Sequence, residues 1–151
     1  MGFWDNLKDK TSQLNEDLKT QLGQLVNTDF ANASMAMCAL IAAADGTIDA
    51  SERKKTANFI MNNDLLNAFD STDLQTKFNY YCDKLQADFD FGKIETIQII
   101  SKLKKKPDQA RAVIQVGIVI GATDGNFDDD EKATVRESCF AVGIDPGEFD
   151  L

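Results

Sequence analysis

The sequence predicts an all-α protein, a compact helical bundle in which one helix-loop-helix unit occurs twice. Three observations point there. Apolar residues recur at helical intervals of three and four nearly everywhere, and strand-like alternation is weak. No Gly/Ser-rich linker divides the 151 residues. Finally, "AADGTIDASER" (43–53) and "ATDGNFDDDEK" (122–132) share the skeleton D-G-x-h-D-x-x-E at an offset of 79 residues, where h is apolar. A pseudo-two-fold internal duplication accounts for that offset.

Phe3, Leu7, Leu14, Leu18, Leu22 and Leu25 form a stripe that predicts an N-terminal amphipathic helix over residues 1–28, ahead of a helical domain at 29–151. Its polar face mixes Asp5, Asp9, Glu16 and Asp17 with Lys8, Lys10 and Lys19, too little positive charge for a helix drawn to anionic lipid. Asn27, Thr28 and Asp29 offer N-caps for "FANASMAMCALIAAA", a helix apolar all round and so expected to be buried, ending at Asp45-Gly46. "ASERKKTANFIMNN" forms the next helix. Ser71 is the expected N-cap of "TDLQTKFNYYCDKLQADF", whose Leu74, Phe78, Tyr81, Leu85 and Phe89 share one face. In "GKIETIQIISKLKKK" the apolar side is Ile94, Ile97, Ile100 and Leu103, and Lys102, Lys104, Lys105 and Lys106 suit a helix C-terminus. These lysines are also a basic cluster available to an acidic partner. Pro107 fits the first turn of "DQARAVIQVGIVIGA", where Gly117 and Gly121 permit close helix approach. "EKATVRESCFAV" is the last long helix, with Gly143 as its C-cap and Ile144 and Phe149 as anchors of the tail.

Composition narrows function. The formal net charge of -9 repels phosphate backbones, so nucleic acid is not an expected partner. The absence of histidine removes His-based acid-base catalysis, Ser-His and Cys-His pairs and the usual zinc sites. Cys38, Cys82 and Cys139 are widely spaced in apolar helical patterns and read as buried free thiols. Neither a signal peptide nor a membrane-spanning apolar run is visible, which places the chain in the cytoplasm.

The repeated skeleton carries the chemistry. The second copy sets five carboxylates within residues 124–131, where like charges repel. With Asp45 at position 5 of an EF-hand loop, Gly46, Asp49 and Glu52 fall at positions 6, 9 and 12, and Asp124, Gly125, Asp128 and Glu131 match in the second copy. Positions 1 and 3 fall on Ile41 and Ala43, or Ile120 and Ala122, so each copy is half a loop. Helix capping alone explains Gly46, Gly125, Asp49, Asp128, Glu52 and Glu131. It leaves Asp45 and Asp124 at the negative pole of a helix, a placement that costs about 0.3 to 1 kcal/mol unless a cation offsets it. If the two loops pack side by side, Asp45, Asp49, Glu52, Asp124, Asp128 and Glu131 together approach the oxygen count that calcium requires.

These paired segments, with "GIDPGEF" (143–149), resemble the TerB family of tellurite-resistance proteins, whose domain is also similar to the N-terminal region of DjlA-like co-chaperones. The resemblance covers roughly residues 29–151. It implies a compact all-helical fold, an acidic surface that binds a divalent metal ion through the six carboxylates, and action beside other Ter proteins, including a TerC-type integral membrane partner, at the inner face of the membrane. Ala50 and Ser51 stand where the second copy has Asp129 and Asp130, so the second copy is the richer candidate.

Three functions remain open at this point. One is a non-catalytic, metal-dependent interaction module. Another is an enzyme, either a metal-assisted hydrolase or a thiol-based reducer, although no phosphate-cradling loop, Arg clamp or general base is visible. The last is a helical scaffold whose acidic loops are solvated surface.

Overall fold

The computed structural model describes residues 28–62, 69–122 and 127–151. The N-terminal helix expected over 1–28 lies outside them except for its last residue, as do Asp124 and Gly125. Six α-helices occur among the described residues: α1 (Thr28–Ala42), α2 (Ala50–Asn62), α3 (Ser71–Ala87), α4 (Phe89–Ser101), α5 (Pro107–Gly121) and α6 (Asp129–Val142). A short 3-10 helix, Pro146–Phe149, follows.

Helix α1 lies at the centre because its sequence leaves no polar face: every residue from 30 to 41 except Asn32 is buried. It packs on α3, α4 and α5. Helix α5 is nearly as apolar, and the two approach closely at Gly117, where a Cβ would stand 2.7 Å from Met37 Sδ. The buried face of α3 is Leu74, Phe78, Tyr81 and Leu85, as the periodicity predicts.

Two boundaries at α3 differ from the sequence expectation. The N-cap of α3 is Asp70, whose carboxylate accepts from Thr72 N and Asp73 N, with Ser71 already inside the helix. The expected single helix through Phe89 ends at Ala87, and Phe89 opens α4. Asp88, in extended conformation (φ -156°, ψ 105°), is at once the C-cap of α3 and the N-cap of α4, its carboxylate accepting from Phe91 N. Gly92, Thr96 and Ile100 face the core, while Ile94, expected inside, stands about 120° around the helix from Ile100 and is 55% exposed.

The α3–α4 corner closes on Gly92. A Cβ there would meet Leu85 Cα and Lys84 O, both at 2.8 Å. Backbone atoms cannot yield as a flexible side chain can, so Gly92→Ala is expected to destabilise the protein by about 1 to 3 kcal/mol in denaturant titrations. An unchanged midpoint would show that the corner has slack.

At the other end of α4, Leu103 is fully buried and Lys104 N and Lys106 N bond back to Ser101 O and Leu103 O at 3.0 and 2.9 Å. The lysine turn is thus held to the core by the one apolar residue within it. Gly143 (φ 74°) ends α6 in the left-handed conformation, and Ile144 and Phe149 are buried as expected of anchors. Arg111 and Glu148 form a two-pronged surface pair, Nε to Oε2 at 3.0 Å and Nη2 to Oε1 at 3.2 Å, which holds the Glu148 carboxyl below its ordinary pKa.

The two copies of the skeleton correspond to α1–turn–α2 and α5–turn–α6. Their pseudo-two-fold relation stays an expectation, since residues 123–126 of the second turn are not among those described.

Candidate functional site

The first acidic turn is built from local hydrogen bonds. Gly46 N donates to Ala43 O at 2.9 Å, and Gly46 takes φ 94°, a conformation open to glycine and strained for most other residues. Asp45 Oδ1 accepts from both the amide and the hydroxyl of Thr47 at 3.1 Å. Helix α1 already ends at Ala42, so Asp45 stands beyond the last turn, where the macrodipole acts most strongly. The expectation of an unsupported aspartate at a helix pole is corrected accordingly. Asp49 Oδ1 accepts from Glu52 N at 2.7 Å, the N-cap role predicted for it.

Buried Ile48 anchors this turn, and its carbonyl accepts from Gln86 Nε2 at 3.0 Å. Arg53 ties α2 to α3 through Asp83 at 2.7 Å and Gln86 Oε1 at 2.7 Å.

The second turn repeats the logic where it is described. Asp128 Oδ1 accepts from Glu131 N at 2.8 Å, and Glu131 Oε1 accepts from Asp128 N at 3.0 Å, a complete capping box. Phe127, at the position equivalent to Ile48, packs its ring on Gly121, where a Cβ would be 2.9 Å from Cε2.

The two turns meet. A cavity of about 200 Å³ is lined by Asp45 and Glu52 from the first copy and by Asp128 and Glu131 from the second, between Ile41 and Ile120 at the ends of α1 and α5. Four of the six carboxylates expected to converge thus line one cavity. Asp49 is not part of this lining and serves as a cap, and Asp124 lies outside the described residues. Lys55 also lines the cavity, which reasoning from the acidic skeleton missed; the available signal was its place three residues after Glu52, on the same side of α2.

Glu52 is the electrostatic centre of the site. Its Oε2 is buried and has no hydrogen-bond partner. Burial first, then the charges of Asp49 and Asp45, push its carboxyl pKa above the ordinary Glu range, while Lys55 acts in the opposite direction. A buried carboxylate oxygen without a donor is a costly arrangement, and a cation is one of the few things that relieves it. The fit to a metal is partial: among the described residues no three such groups are close enough to hold an ion as they stand.

All three cysteines are free and buried, as expected. Burial pushes the thiols of Cys82 and Cys139 up to about 12 and raises that of Cys38 as well. Thiolate is the nucleophilic form, so these thiols are inert at neutral pH. A soluble disulfide reagent is expected to label none of them until denaturant unfolds the chain. Rapid stoichiometric labelling of the native protein would restore thiol chemistry as an option.

No described helix is long and apolar enough to cross a membrane. No solved structure matches the chain. The family model described as "Tellurite resistance protein TerB" matches residues 31–151. A curated relative, the tellurium resistance protein TerB of Alcaligenes sp, is 31% identical over 118 residues, which span 78% of this chain and 97% of the relative. With a family model over most of its length and a relative aligned across nearly all of that protein, this chain belongs to the TerB family of tellurite-resistance proteins.

Proposed function

We propose that the chain serves tellurite resistance as a non-catalytic module that binds a divalent cation, calcium before magnesium, in the cavity between its two acidic turns. The observation that carries this reading is the meeting of Asp45, Glu52, Asp128 and Glu131 around one cavity, with Glu52 Oε2 buried and lacking a partner. Asp124 completes the proposed ligand set, and Asp49, outside the cavity lining, supports it by holding the backbone amide of Glu52. Oxygen-only donors suit a hard cation, and calcium tolerates the irregular geometry of two separate half-loops better than magnesium does.

In this reading the ion's chemistry is neutralisation: it offsets carboxylate repulsion and fixes the two turns relative to each other. The ordered acidic end then engages other Ter proteins, including a TerC-type integral membrane partner, at the cytoplasmic face of the membrane. The membrane is reached through those partners.

A scaffold that binds no metal is the second reading. The complete capping box of Asp128 and Glu131 favours it, because that pair has a structural role without any ion. Isothermal titration of chelated, dialysed protein with calcium and with magnesium separates the two. Saturable calcium binding supports the first reading, and an absence of heat with either ion leaves the scaffold.

A further inference from the structure

The cavity between the acidic turns is lined by four carboxylates and, among the described residues, by one basic side chain, Lys55. The second copy has no equivalent of it. At the offset of 79 residues the position of Lys55 is taken by Thr134, which is buried and turns its hydroxyl back to Asp130 O at 3.0 Å. One ammonium group therefore serves both turns.

Placement on α2 brings Lys55 to the site. It follows Glu52 by three residues, so the two side chains are neighbours on one side of the helix. The adjacent cations are not part of the lining: Arg53 is drawn to α3 by Asp83, and Lys54 is exposed outside the cavity. Lys55 acts on Glu52 through its charge, lowering the pKa that burial raises, and not through a hydrogen bond to Oε2, which accepts none. Lys55 is itself exposed, so its flexible four-carbon stem can carry the ammonium out to water without disturbing the core.

We propose that Lys55 is a tethered counter-cation, which offsets the carboxylates of the cavity while no metal is bound and which a divalent ion must displace in order to enter. The displacement rests on the cation reading above, whereas the charge balance is a property of the chain alone. A tether of this kind confers selectivity. A sodium or potassium ion that took the place of Lys55 would bring the same single charge and lose water in doing so, and the exchange would gain nothing. A divalent ion at the same distance doubles the attraction to the carboxylates. Lys55 thus sets a threshold that calcium passes and monovalent ions do not.

The test compares the full chain with Lys55→Met, which keeps an unbranched stem and similar helix propensity but removes the charge. Lys54→Met removes the same charge from the next residue, outside the cavity, and Lys55→Arg keeps it in place. In chelator at low salt, Lys55→Met is expected to melt roughly 1 to 4 °C below the parent, with the difference shrinking at high salt. That loss should be smaller in a Glu52→Gln background, where one of the charges that Lys55 balances is gone. In isothermal titration Lys55→Met is expected to bind calcium roughly fivefold tighter than the parent, and potassium to compete with calcium more strongly in the variant. Lys54→Met and Lys55→Arg are expected to stay close to the parent in both measurements.

Unchanged melting of Lys55→Met in chelator, calcium binding no tighter than the parent's, or an equal gain from Lys54→Met overturns the proposal. If neither parent nor variants bind calcium, the cation reading fails and the displacement role fails with it. The melting curves in chelator, with their dependence on Glu52, then still decide whether Lys55 balances the cavity.

Discussion

Phe78→Ala is expected to lower the stability of the fold by about 3 to 5 kcal/mol, the range for emptying a fully enclosed aromatic site. Phe78 is 0% exposed, in the middle of the buried face of α3. That face meets the central helix α1 on one side and α4 on the other, and α2 packs on the same helix. The loss combines the transfer free energy of the ring with the void it leaves, because neighbours tied to three other helices relax only in part. Since a domain has roughly 5 to 15 kcal/mol to lose, the change removes from about a fifth of that stability to nearly all of it. Urea unfolding followed by circular dichroism measures this directly. A loss below about 1 kcal/mol would mean that the helices can close over the gap.

Glu52→Gln is expected to act in opposite directions with and without calcium. In chelator, the substitution removes a carboxylate whose pKa is raised by burial and by Asp49 and Asp45, so the variant melts at a higher temperature than the parent. The sign follows from linkage: folded Glu52 binds its proton more tightly than unfolded Glu52. Its contribution to stability is therefore most favourable at low pH and is lost as pH rises from the ordinary Glu range through the raised pKa. The advantage of the glutamine variant should grow across that same window and then level off. With calcium present the order reverses, if the cation reading is right. A bound ion stabilises the parent by about 4 kcal/mol at a thousandfold excess over its dissociation constant, and the variant forfeits most of this. Melting curves in chelator and in calcium, over a pH series, contain both halves of the prediction. Parent and variant curves that shift equally with calcium would remove Glu52 from the site.

Much of the fold was legible in the sequence because burial follows helical spacing. The encirclement of α1 by apolar residues predicted its central place, and Gly143, Ile144 and Phe149 marked the end of the last helix and its tail. The missed boundaries share a cause. Asp70, Ser71, Thr72 and Asp73 are all competent or near-competent caps, so residue preference alone does not choose among them. Phe89 follows Leu85 by four residues and stays in phase with it, which hides the break at Asp88 from any reading based on periodicity. In α4, apolar spacing by threes drifts around the helix: six residues, about 120°, separate Ile94 from buried Ile100, so Ile94 is assigned inward and its exposure is lost.

The site was legible in kind but not in detail. Spacing identified the acidic positions of both copies, and the structure gathers four of them at one cavity. Sequence spacing could not reveal that Asp45 turns its oxygen to Thr47, that Asp49 caps without lining the cavity, or that Glu52 keeps an oxygen with no donor. Those outcomes depend on how α2 leans on α3 through Arg53 and Ile48, a tertiary contact with partners 26 to 38 residues away.

The joint at Asp88 bears on how the protein comes to fold. A single residue connects α3 to α4, so the pair meets with almost no loop to close, and the entropy lost on closure is near its minimum. Contacts between neighbours in sequence form faster than those that wait for distant segments. The α3–α4 hairpin, held by Gly92 against Leu85, is thus the natural nucleus on which the later helices condense. Substitutions at that corner should slow refolding, whereas those near the acidic turns should chiefly hasten unfolding.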